Sequence, residues 1–335
     1  MTGYSSMQSP HGFTYNEKNM KSIVNIQSKA DLFGNEDNTK KAREVFGKFL
    51  YEGELGVLFG DSNTGKSILA NDIAFFVSGG GHSWQDMVSP NIPSLYFDLE
   101  MTTKQFASRY HTAEPYIPDG YHRAMLDASK FNAEDIFPAI RTQIVAMQNL
   151  QDSPKFIVID NITNGFGSIL NATKMRKLIC DFKLLKERFN LTILLIAHCP
   201  KRKKNKPITQ DDLGGSKMII NFVDSAFAIA PSFAGENIKY IKQIKTRESE
   251  KMSKVMTVKI TDEPFLRFDY RGYNDEDEHI TEKTTSLILD NLTPEQEALL
   301  ARLLLDNELS YNEISDTVGI TKEAVIDYVI FNKIK

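Results

Sequence analysis

The stretch Gly60-Asp61-Ser62-Asn63-Thr64-Gly65-Lys66-Ser67 constrains this chain more than any other feature. It fits G-x-x-x-x-G-K-S and lies between a short apolar run, Glu54–Phe59, and a segment of helical pattern, Ser67–Val77. Glycines let backbone N–H groups turn inward around an anion, and the helix start adds partial positive charge. In such a loop Lys66 reaches the β- and γ-phosphates and Ser67 ligates Mg²⁺. The residues imply a bound nucleoside triphosphate with Mg²⁺, cradled by Gly60 through Ser67.

Strand and helix patterns alternate around this loop. Ser94–Leu99 reads as a second strand, and Thr102–Tyr110 as its helix. Phe156–Ile159 is a third strand, apolar throughout, as expected when both faces are covered. Met175, Leu178, Ile179, Phe182, Leu185 and Phe189 repeat at helical spacing and lead into a fourth strand, Leu191–Ala197. Such alternation predicts an α/β fold with a mostly parallel sheet flanked by helices. Beyond Asp224–Ala230 the pattern turns to strands alone (Ile238–Ile244, Lys254–Ile260, Phe265–Tyr270), an antiparallel extension of the sheet.

Three strand ends carry chemistry. Asp160 closes an apolar strand and suits the Mg²⁺ shell; the plain alternative is a loop cap. Asp98 and Glu100 alternate at another strand end, which predicts that both point to one face. Glu100, at the tip, is the better candidate for a general base on the attacking water, with helix capping as the alternative. His198 ends the fourth strand, where an imidazole senses a γ-phosphate or simply packs.

Composition narrows the classes. Of 335 residues, 41% are hydrophobic and 25% charged, which excludes fibrous and wholly disordered chains. No run approaches the ~20 apolar residues of a membrane span, and the polar N-terminus lacks the apolar core of a secretory signal. Cys180 and Cys199 are too few for a disulfide framework, so a cytoplasmic setting is expected. The net charge of −4 resides in the tail, where Thr293–Lys335 holds four basic and eight acidic residues.

With these strand ends in hand, the chain resembles the RecA-fold P-loop ATPases, and within them the DnaB/RepA-like hexameric helicases. Leu99-Glu100-Met101-Thr102-Thr103-Lys104-Gln105-Phe106-Ala107-Ser108-Arg109 is similar to that branch's L-E-M-[ST]-x-x-Q-[LF]-x-x-R signature, in which the Glu is the catalytic base. His198 stands where RepA-like proteins carry a sensor His. Asp212-Leu-Gly-Gly215-Ser216, followed by Asp224, is similar to the family's pore loop facing single-stranded DNA. Lys245 and Arg247 resemble the finger pair that reaches a neighbour's γ-phosphate. The resemblance spans about residues 46–270 and implies a ring. The sequence departs from the DnaB-type pattern in that about 45 polar-rich residues stand where a separate N-terminal helical domain is expected. It also suits a plasmid or other mobile element.

Lys201-Arg202-Lys203-Lys204-Asn205-Lys206 places five cations in six residues between Pro200 and Pro207. So dense a cluster attracts a phosphate backbone without reading sequence, unless it is only a solvated loop. With Lys217 it is expected to line a channel for single-stranded DNA. Three further helices are expected, Pro294–Asp306, Tyr311–Thr317 and Thr321–Asn332. Ser315, Gly319 and Val325 occupy the small, glycine and β-branched positions of a helix-turn-helix of winged-helix-like type. Its acidity, with Glu323 and Asp327 on the would-be recognition helix, favours docking a replication or regulatory protein over duplex binding, which stays open. The expected organisation is a polar arm (1–45), an ATPase domain (46–270), an acidic linker (271–290) and the C-terminal helices (291–335). The leading expectation is an ATP-driven helicase on single-stranded DNA. An ATP-switched regulator or a filament-forming recombination mediator would share the same core.

Overall fold

The computed structural model describes residues 28–34, 41–81, 84, 87–126, 132–150, 152–162, 172–213, 217–281, 292–306 and 309–331. The chain divides into two compact units, Met1–Ala42 and Arg43–Lys335. The described residues of the first hold one short helix, α1 (Lys29–Phe33).

The second unit is built on a nine-stranded sheet in the order β11-β10-β9-β8-β3-β7-β6-β4-β5. Six strands run parallel: β3 (Leu55–Gly60), β4 (Ser94–Asp98), β5 (Tyr121–Met125), β6 (Phe156–Asp160), β7 (Thr192–His198) and β8 (Ser225–Pro231). β9 (Ile238–Lys245), β10 (Val255–Thr261) and β11 (Arg267–Asn274) extend it antiparallel. The central strands are apolar along their length because both faces are covered. Period-two alternation sends Val57, Ile157, Ile159, Ile193 and Leu195 into one core, with Ile140, Ile179 and Phe182 of helices α4 (Ala133–Met147) and α5 (Ala172–Phe189). Leu58, Tyr96, Val158, Leu194 and Ile196 enter the other, against Leu69, Ile73 and Val77 of α2 (Lys66–Val77). Each such aliphatic side chain contributes about 1.5–3 kcal/mol on burial, so two full cores hold the strand ends in fixed register. The four ends that carry chemistry lie along one edge, with Gly60 paired to His198 and Asp98 to Asp160.

Several boundaries differ from those expected. Glu44–Phe46 (β1) pairs with Leu50–Tyr51 (β2), and Val45 and Phe46 are fully buried, so ordered packing begins before residue 46. Strand β5 and helix α4 have no counterpart in the sequence reading. β5 (Tyr-His-Arg-Ala-Met) is an edge strand whose mixed residues give no apolar run, and α4 carries Pro138 inside its pattern. Residues Asn274–His279 are not an open linker. Asn274 ends β11, and a short helix, α7 (Asp277–Ile280), follows with His279 and Ile280 buried. Of the acidic residues in this stretch Glu276 is bound from inside the domain, whereas Asp275, Asp277 and Glu278 are exposed.

The C-terminal segment forms α8 (Pro294–Asp306), α9 (Tyr311–Val318) and α10 (Lys322–Phe331) around Leu300, Leu304, Ile314, Val318, Val325 and Tyr328. Ser310 and Glu313 cap α9 reciprocally, and Gly319 ends it at φ 72°, a left-handed conformation that favours glycine. No strand occurs among the described residues of this segment, so the structure shows three helices without a wing. The side chains of Glu323 and Asp327 lie outside the described residues. No helix among those described is long and apolar enough to cross a membrane.

Candidate nucleotide site

The phosphate loop leaves β3 at Gly60 and enters α2 at Lys66. Two of its features need glycine. A Cβ on Gly60 would meet the Ile229 carbonyl oxygen at 2.3 Å, and Gly65 adopts φ 90°. The helix start has no side-chain cap, so its first N–H groups are left for an anion. Thr64 ties the loop internally through its hydroxyl, which donates to the Asp61 carbonyl at 2.9 Å. Lys66 is buried and its Nζ donates to the carbonyls of Gly60 (3.0 Å) and Asp61 (2.7 Å). Burial lowers its pKa, while Asp160, Glu100 and Asp61 nearby act against that.

Asp160, at the end of β6, is buried, and its Oδ2 accepts a 2.6 Å hydrogen bond from the Tyr96 hydroxyl. Burial pushes its pKa up to about 6, against the stabilising bonds from Tyr96 and Ser67. Oδ1 is buried without a hydrogen-bond partner. An orphaned carboxylate oxygen beside a serine hydroxyl is a hard oxygen donor set that fits Mg²⁺. Among the described residues no cluster of three His, Cys, Asp or Glu side chains could hold a metal by itself. Asp160 and Ser67 would therefore share the ion with phosphate oxygens, and the ion would neutralise charge developing on the phosphoryl group.

Glu100 and Asp98 do not share a face, because β4 ends at Asp98 and Glu100 lies in the turn beyond it. Asp98 is fully buried and holds that turn. Its Oδ1 accepts from the N–H groups of Glu100 (3.0 Å) and Met101 (2.7 Å), and its Oδ2 receives Arg123 of β5 at 2.7 Å. Glu100 is not the helix cap either. Thr102 caps α3 (Thr103–Arg109) in a reciprocal box with Gln105, and Phe106 of the same helix lies under the Arg123 guanidinium. Glu100 is thereby turned toward Asn161 and His198. Asn161 Nδ2 donates to its Oε1 and sits 2.9 Å from His198 Nε2, which is 3.5 Å from the same Oε1. The His198 imidazole, and after it Lys66 and Asn161, hold the Glu100 pKa below the usual value against burial, so the group is a carboxylate at neutral pH. An ionised, solvent-accessible carboxylate beside the phosphate loop can orient and deprotonate water.

Sequence reasoning missed Asn161, Tyr96 and Arg123. Asn161 directly follows Asp160 at the strand tip, a polar position that could have drawn notice. Tyr96 and Arg123 are legible only through strand register, which pairs Tyr96 with Arg123 and with Val158 two residues before Asp160.

The basic loop starts beside this site. Cys199 N donates to the Gly60 carbonyl at 3.1 Å, and its thiol donates to Asp61 Oδ1 at 3.1 Å. Burial, with Asp61 adding to it, pushes that thiol up to about 12, so it remains protonated. Lys201, Lys203, Lys204 and Lys206 are exposed. Arg202 departs from the expected role, since its guanidinium turns back to the Lys206 carbonyl (2.8 Å) and the Tyr240 hydroxyl (3.2 Å). Gly215 and Ser216 lie outside the described residues, as does the side chain of Lys217.

Lys245 and Arg247 lie at the far end of the sheet, because β9 runs antiparallel to the strands that carry the site. Lys245 Nζ donates to the Ile220 and Val223 carbonyls at the end of α6 (Lys217–Phe222), at 2.6 and 2.8 Å. Arg247 pairs with Asp224 at 2.9 Å while half exposed. Neither can reach the phosphate loop of its own chain, and Asp224 is a brace, bound also by Leu55 N and Lys186.

No curated protein matches the chain. The sequence model of the AAA domain family matches residues 25–204 and takes in the phosphate loop, Glu100, Asp160 and His198. That match covers more than half of the chain, and with the site's geometry it means that the chain belongs to the AAA domain family of P-loop ATPases.

Proposed function

We propose that this ATPase is a ring-forming motor on single-stranded DNA, a replicative-type helicase suited to a plasmid or other mobile element. The observation that carries the reading is the basic loop, whose first root is hydrogen-bonded to Gly60 and Asp61 while four lysines face outward. Cations mounted on the phosphate loop make nucleotide state and a nucleic-acid backbone mutually dependent. The far-end position of Arg247 supports ring assembly. A half-exposed guanidinium remote from its own nucleotide supplies charge stabilisation only to another copy, as a hexameric ring would arrange.

In this reading Lys66 holds the terminal phosphates, Glu100 activates water, Asn161 and His198 position Glu100, and Arg247 completes the neighbour's site. The acidity of the C-terminal helices favours their docking a replication or regulatory protein. The test is turnover per chain across a dilution series, with particle mass measured at each concentration. Turnover that rises with a hexameric species and is stimulated by oligodeoxythymidylate supports the motor. Equal turnover by a monomer, flat with DNA, would leave an ATP-switched regulator.

A further inference from the structure

The second root of the basic loop is held as firmly as the first, and by residues outside the loop. Ile208 is fully buried and its peptide groups are gripped from both sides. Its N–H donates to Glu276 Oε1 at 2.8 Å, and its carbonyl accepts from Lys242 Nζ at 2.8 Å. Glu276 and Lys242 themselves form an ion pair. The Tyr240 hydroxyl donates to Glu276 Oε1 at 3.2 Å and accepts from Arg202, which in turn staples the loop at Lys206. His279 stacks on the Tyr240 ring at 4.9 Å and bonds Ser232 and Thr257 through its two nitrogens, so Glu276 sits on a fixed segment. One carboxylate thus receives the loop root, a lysine and the hydroxyl that holds the loop's own arginine.

We propose that Glu276 is a positioning residue for the basic loop, setting the exposed lysines at the spacing a nucleic-acid backbone requires. The inference rests on the DNA reading of that loop. Residues 274–281 precede the C-terminal helices in the chain, so a partner that pulled this strap from Glu276's contacts would weaken nucleic-acid binding without touching the nucleotide site.

The two roles separate by their salt dependence. Deleting phosphate-contacting lysines lowers both affinity and the slope of log K against log salt, whereas loosening a loop that keeps its charges lowers affinity at constant slope. The test is anisotropy of a fluorescein-labelled 20-nucleotide oligodeoxythymidylate over a salt series, on the full chain. Glu276→Ala is expected to bind about tenfold more weakly with unchanged slope. Glu276→Gln, which keeps an acceptor for Ile208 and Tyr240, should recover part of that loss. Trypsin should cut after Lys201, Arg202, Lys203 and Lys204 faster in Glu276→Ala, with basal ATP turnover unchanged. Tyr240→Phe, which removes only the hydroxyl between Arg202 and Glu276, gives the same test with a smaller loss if Glu276→Ala does not fold. Wild-type affinity and wild-type trypsin cleavage in these variants would overturn the proposal, provided that replacing Lys201, Lys203, Lys204 and Lys206 by Ala weakens binding. If that lysine variant binds as well as wild type, the DNA reading fails, and this proposal with it.

Discussion

At the C-terminal edge of the parallel strands, Lys66, Glu100, Asp160 and His198 converge, and Asp160 keeps a buried oxygen unsatisfied. At the opposite edge, Asp224 collects Lys186, Arg247 and the Leu55 N–H, and Lys245 binds two carbonyls at the end of α6. Burial alone would raise the Asp224 pKa, yet these partners hold it below the ordinary value, whereas Asp160, with fewer, is pushed up to about 6. Both carboxylates are buried, but Asp224 is satisfied internally and Asp160 keeps ligand-binding capacity. Removing one partner of a buried pair destabilises the fold, and an under-satisfied charge costs stability that a ligand can return.

The comparison breaks most visibly at Lys66. Lys66→Ala should reduce phosphate release by at least about 10³-fold, because the terminal phosphates lose their buried cation. Arg247→Ala should leave nucleotide binding, read with a fluorescent ATP analogue, within about twofold of wild type. Its turnover should fall by roughly 10³-fold only where chains assemble. Equal loss at every concentration would instead make Arg247 part of the fold through Asp224. Tyr96→Phe tests the finer balance at Asp160. Without that hydroxyl the carboxylate pKa rises further, so the Mg²⁺ needed for half-maximal turnover should rise about tenfold, most at pH 6–7.

The smallest effect concerns His279. Burial holds its pKa below 6.5, with Glu278 and Glu276 partly offsetting this. The unfolded chain therefore takes up a proton at higher pH than the folded one. Stability from this group is complete above pH 6.5 and declines as pH falls below it. His279→Asn should flatten that part of the wild-type curve of Tm against pH, and an unchanged slope would place the acid sensitivity elsewhere.

The fold class was legible because the informative strands are buried on both faces and read as uninterrupted apolar runs. Edge strand β5 lacked that signature, and so did Asn274–His279, where Glu276 turns into the domain while its acidic neighbours stay exposed. At the site, Lys66, Asp160 and Glu100 could be found from motif and strand-end position. The roles of Asp98 and Arg202 could not, since alternation does not continue past the last strand residue and a guanidinium in a basic run looks the same whether it turns outward or back. Asn161 needed the fold, because its work depends on Glu100 and His198 arriving from two other strands.

The most direct test of the account is steady-state phosphate release with Mg²⁺ and ATP at neutral pH, wild type against Glu100→Gln, with and without single-stranded DNA. Turnover in wild type should be stimulated by DNA. In Glu100→Gln it should fall by a factor of about 10²–10⁴ with ATP binding retained. Turnover in Glu100→Gln equal to wild type would contradict Glu100 as the base and, with it, the assignment of this strand edge as the hydrolytic site.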